Sequence, residues 1–150
     1  MWDKVKDKNT ASKIGGKRYV SGYDLNDYFI KPWTQGTGSC AALLLNPLMP
    51  RKAHAFITHS WSEDIEEFVE ALNRHYPDGG TSLWICLFSM YQAEDGRGPS
   101  IADQITQNCV STVMSSPSVT SIVVVNTSLS SVFNRLWVTS FCILFLIDDM

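Results

Sequence analysis

Side chains able to do chemistry gather at three places along this chain. His59, Ser60 and Trp61 close one apolar run, Tyr91 and Gln92 with the loop "AEDGRG" follow a second, and Asn126, Thr127 and Ser128 with Asn134, Arg135 and Trp137 follow a third. A histidine beside a serine suggests a base with its nucleophile. Adjacent residues at a strand end point apart, however, so strand-end packing for His59 and a helix cap at Ser60 is the reading adopted. Across the three clusters, nucleophile, base and orienter do not recur together. The loop after the second run has the glycines of a phosphate cradle but lacks the G-x-x-x-x-G-K-[ST] spacing, and it follows the wrong strand for a dinucleotide fingerprint.

The elements that must position these residues are legible as an alternation. "AHAFITH" is a short apolar run, and "SWSEDIEEFVEALNRHY" places Ile65, Phe68, Val69 and Leu72 at helical spacing, with Ser60 and Glu63 as a capping box. "TSLWICLFS" reads as a strand covered on both faces, with Trp84 in the core. Ser100 and Asp103 open a second helix whose apolar face is Ile101, Ile105, Cys109 and Val113, and "SSPS" ends it. "VTSIVVV" is a third strand, and "NTSLSSVFNRLW" begins a third helix. Strand and helix alternating in this way predict an α/β fold with a parallel sheet, whose site lies beyond the carboxyl ends of the strands. Ahead of it, residues 1–22 read as a flexible basic N-terminus and residues 23–52 as a flanking wrap. In that wrap Asp24 caps a turn ended by Pro32, and Leu43, Leu44 and Leu45 are expected to lie against the strands and helices that come after them in the chain.

Bulk properties narrow the function classes. The 150 residues, 45% hydrophobic and 18% charged, suit one globular domain, and a net charge of -3 offers no general attraction to nucleic acid. Asp64, Glu66, Glu67 and Glu70 read as a solvated helix face. The cysteines Cys40, Cys86, Cys109 and Cys142 show no C-x-x-C spacing, which argues for reduced thiols in a cytoplasmic protein and against a metal site. The uncharged run from Leu136 to Ile147 is short of the ~20 residues a membrane helix needs, so no membrane partner is expected.

The blocks "AFITHSWSEDIEEFVEAL", "LWICLFSMYQ" and "VVVNTSLSSVFNRLW", with the flank "DYFIKPWTQGTGSCAALLLNP", resemble the TIR-like proteins of protists, of the dinoflagellate and diatom type, over residues 23–137. The resemblance implies a flavodoxin-like parallel sheet. It also implies self-associating TIR–TIR signalling, cleavage of NAD+ as a substrate, or both, with no resident cofactor. In the NAD+-cleaving members the pattern after the third strand runs close to R-L-W-C-x-x-E, and the glutamate stabilises the oxocarbenium-like ribosyl centre.

Here the pattern stops at Trp137: Val138 stands at the cysteine position and Phe141 at that of the glutamate. Asp148 and Asp149 lie two helical turns further, about 10 Å along the axis. The expectation is therefore a C-terminally truncated TIR-like domain over residues 53–137. It would have about three strands in the order 2-1-3, an aberrant apolar tail over 138–150 that reads as translated intron, no catalytic residue, and at most an interaction role. The alternative is an NAD+ glycohydrolase whose glutamate is supplied by a full-length form. The pocket would comprise His59, Ser60, Trp61, Gln92, Asn134, Arg135 and Trp137.

Overall fold

A computed structural model describes residues 1–4, 6, 19–130 and 132. Three parallel strands, β1 (Ala55–Thr58), β2 (Leu83–Ile85) and β3 (Ser121–Val124), form a sheet in the order β2-β1-β3. The register sets Ile57 beside Ile85 and Val123, so the carboxyl ends of all three strands finish at one level. Every residue of the central strand β1 is buried, as expected for a strand paired on both sides. Its Phe56 stacks on Trp84 of β2 at 4.7 Å and 13°.

From Gly22 onward, seven short helices surround this sheet among the described residues. In chain order they are α1 (Gly22–Leu25), α2 (Lys31–Thr34), α3 (Ala41–Leu45), α4 (Ile65–His75), α5 (Cys86–Ser89), α6 (Ile101–Thr106) and α7 (Cys109–Met114), and a π-helical turn, Asn26–Ile30, joins α1 to α2. The longest, α4, buries Ile65, Phe68 and Leu72 at helical spacing against Ile57, Leu87 and Val125. Each side chain buried there contributes about 1.5–3 kcal/mol. Val69, counted with them in the sequence, faces outward at 46% exposure.

Local chemistry shifts several boundaries from their sequence positions. Helix α4 starts at Ile65 because Asp64, itself buried, accepts the Glu66 N–H at 3.0 Å, while the Ile65 N–H goes to the Val20 carbonyl. Asp64 is therefore a cap and not a solvated face, and Ser60 with Glu63 does not form the capping box. In the N-terminal segment Ser21 is the cap and Asp24 its capping-box partner. Pro32 does not end that helix: it sits in the first turn of α2, just after the widened π turn, where its missing N–H is tolerated.

Strand β2 is three residues, all half-buried, because among the described residues it is a sheet edge and the chain turns helical at Cys86, with the Ile85 N–H donating to Ser89 Oγ at 3.3 Å. Ser100 and Asp103 do form a capping box, but the helix they open breaks at Asn108, whose φ of 55° is left-handed. None of Ile101, Ile105, Cys109 and Val113 is buried. Helix α3 turns Ala41 inward and leaves Leu43, Leu44 and Leu45 at 49%, 38% and 67% exposure, since one short turn cannot bury all its sides. The expected third helix and the 138–150 tail lie outside the described residues. Among the described residues no helix is long and apolar enough to cross a membrane.

Candidate functional site

The parallel register makes the site. Pairing of Ile57 with Ile85 carries on to the level of Thr58 and Cys86, so the residue after each strand end arrives beside its neighbour. His59, 1% exposed, points its Nδ1 at Glu63 Oε1, 2.5 Å away, and its Nε2 faces Cys86 Sγ at 3.7 Å. Glu63 is buried too and reaches back across a turn in which its N–H bonds the Ser60 carbonyl. Phe68 of α4 covers the imidazole, ring centres 4.7 Å apart. Burial alone would push the histidine's pKa down. The hydrogen bonds and charges of Cys86 and Glu63 outweigh it, raising His59 from 6.5 to about 9.

Cys86 has further partners. The Trp61 indole N–H donates to its sulphur at 3.4 Å, and Gln92 Nε2 donates to its carbonyl oxygen at 3.2 Å. Trp61 is held by the N-terminal segment: the Tyr23 N–H bonds the Trp61 carbonyl, and the two rings meet edge-on at 5.4 Å. Gly22 allows this approach, because a Cβ there would lie 3.0 Å from the Trp61 oxygen.

Beyond the sulphur opens a cavity of about 730 Å³, a size typical of small-ligand sites. Trp61, Cys86 and Gln92 form its floor, Ile105 and Val110 come from α6 and α7, and Asn26 and Lys31 close the N-terminal side. Asn26 is 4% exposed, and its Oδ1 is buried without a hydrogen-bond partner among the described residues.

Of the residues singled out in the sequence, Trp61 and Gln92 line the cavity, and His59 stands behind Cys86. Ser60 points elsewhere, into a triangle of hydroxyls with Ser62 and Ser130 whose sides are 2.7 to 3.0 Å. Ser128 bonds Glu67, and Asn126 Oδ1 accepts the Val132 N–H, so the residues after β3 serve the packing of that strand end. Asn134, Arg135, Trp137 and Phe141 lie outside the described residues.

The loop after β2 is tied down. Tyr91 Oη donates to Asp95 Oδ1 at 2.5 Å, and the Asp95 carboxylate also accepts the N–H groups of Gly36 and Arg97. These bonds hold the Asp95 pKa down at about 2, the Tyr91 hydroxyl contributing most. The loop packs so closely on the preceding segment that a Cβ on Gly38 would lie 2.8 Å from the Arg97 oxygen.

Sequence pattern alone does not mark Cys86, Glu63 and Asn26 as site residues. By pattern Cys86 belongs to the interior of a strand, Glu63 to a cap, and Asn26 to the wrap. The signal that could find Cys86 is the strand register, which sets the residue after β2 against the end of β1. Among the described residues no group of three or more His, Cys, Asp and Glu is arranged to hold a metal ion. No protein-family model, no curated protein and no solved structure matches the chain.

Proposed function

We propose that this chain is a cytoplasmic TIR-like α/β module that binds a small nucleotide-type molecule at the carboxyl ends of β1 and β2, and that it does not cleave NAD+. The observation that carries the binding reading is the 730 Å³ cavity lined by Trp61, Cys86 and Gln92 beside the carboxyl ends of β1 and β2. Trp61 offers a face for a flat ring, and Lys31, paired with Asp27 at 2.8 Å, a cation that an acidic group can share. The reading without cleavage is supported by Phe141 at the position where the resemblance expects a glutamate.

Titration calorimetry with NAD+ and with nicotinamide, paired with chromatographic assay of released nicotinamide, tests both halves. Binding that is weakened by Trp61→Ala, with no nicotinamide released above background, is the expected outcome. Absence of binding to either compound, or turnover that survives repurification, overturns the corresponding half.

A second reading, TIR–TIR self-association through the loop after β2, is favoured by the way Tyr91, Asp95 and Gly38 fix that loop before any partner arrives. Preorganised loops bind at a lower entropic cost. Sedimentation of the chain and of an Arg97→Glu variant separates the two readings, since only self-association responds to the loop charge.

A further inference from the structure

We propose that Cys86 is a nucleophile for acyl transfer, with His59 as its acid–base partner and Glu63 as the positioning residue, and that the cavity takes an activated acyl group of thioester or ester type. Three observations converge. First, the order Cys86 Sγ, His59 Nε2, His59 Nδ1, Glu63 Oε1 is that of a nucleophile, a base and an orienter, with separations of 3.7 and 2.5 Å. Second, the sulphur receives the Trp61 indole N–H as well as facing the imidazole, an electropositive setting that favours thiolate over thiol. Third, Cys86 is half-buried and lines the cavity, which places a ligand beside this residue.

The shape and polarity of the cavity suggest what that ligand is. Ile101, Ile105 and Val110 provide an apolar wall for an alkyl chain. In the first step the Cys86 thiolate attacks the carbonyl carbon, an S–C bond forms, the C–S or C–O bond of the donor breaks, and the leaving group takes the proton from His59 Nε2. In the second step His59 takes a proton from water, the hydroxide attacks the thioester, and the carboxylic acid leaves as Cys86 regains its thiolate and His59 keeps its proton. The inference uses the same cavity as the binding reading but not its ligand, so failure to bind NAD+ leaves it standing.

The full chain is treated with p-nitrophenyl butyrate and with the butyryl thioester of N-acetylcysteamine, which carries an amide N–H. The expected result is a burst of one p-nitrophenolate per chain and a butyryl group mapped by peptide mass to Cys86. The burst is abolished by Cys86→Ser and slowed about 100-fold by His59→Asn. Glu63→Gln displaces the pH profile of acylation, a readout that looser packing alone would not move. The charged groups facing that profile are Glu63 against His59, with Lys31 and Glu94 on the cavity wall. Should His59→Asn not fold, alkylation of the unmodified chain by iodoacetamide decides: Cys86 reacts ahead of Cys40, Cys109 and Cys142. A burst retained in Cys86→Ser, no butyryl group on Cys86, or equal labelling of all four thiols overturns the proposal.

Discussion

His59 lies where three influences oppose one another. Its burial disfavours charge, while Glu63 on one ring nitrogen and Cys86 on the other favour it, and the balance leaves the ring protonated at neutral pH. A histidine read as strand-end packing is in this respect correctly placed, since it is buried against Phe68, yet its two polar partners make it more than filler. Chemical shifts of the His59 ring should therefore titrate near pH 9. In Cys86→Ala and in Glu63→Gln the midpoint should fall, because each variant removes one of the groups that offset burial. An unchanged midpoint in both would show that neither partner sets the charge. Removing the carboxylate also leaves a buried cation uncompensated, so Glu63→Ala should cost about 3–5 kcal/mol in urea unfolding.

Short elements make this molecule depend on side-chain fastenings. Among the described residues only α4 reaches eleven residues, and the other helices are single turns or little more. The loop after β2 relies on the Asp95 carboxylate, which gathers the Tyr91 hydroxyl and the N–H groups of Gly36 and Arg97. A carboxylate whose folded pKa is depressed stabilises the fold above its unfolded value, 3.8, and that contribution is lost as the pH falls through about 2. Asp95→Asn should thus be less stable than the parent at about pH 5, with the gap closing towards pH 2. A gap that stays constant in urea titrations would assign the loss to shape instead of charge.

At this scale the sequence is a good guide to order and a poor one to ends. Alternating apolar runs locate all three strands, Ser and Asp three residues apart locate the cap at Ser100, and the 2-1-3 order is the one the family resemblance implied. They do not locate the early end of β2, which among the described residues pairs on one side only, or the left-handed break at Asn108, because local pattern does not encode strand pairing or a single αL residue. The cavity floor is half legible: Trp61 and Gln92 can be placed at strand ends, whereas Cys86 needs a register that only pairing supplies.

Over the whole molecule, two places that expose apolar surface differ in kind. Leu48 and Met49, after α3, are 92% and 74% exposed, side chains on an irregular segment with no row of backbone groups to offer. Strand β3 is different: among the described residues it pairs only with β1, so its other edge presents backbone donors and acceptors beside Ile122, itself 42% exposed. The segment Ser121–Val124 has no charge and no proline, the devices that normally keep an edge from pairing with another copy. Concentration-dependent assembly is the expected behaviour of the isolated chain, with growth of light scattering and of β-sheet signal together. Ile122→Lys should suppress both, with a stability change within about 0.5 kcal/mol because the side chain is on the surface. Leu48→Lys, which also removes exposed apolar surface but touches no edge, should leave assembly largely unchanged. If Leu48→Lys suppresses assembly and Ile122→Lys does not, the chains associate through the patch after α3, and the β3 edge is not the sticky feature.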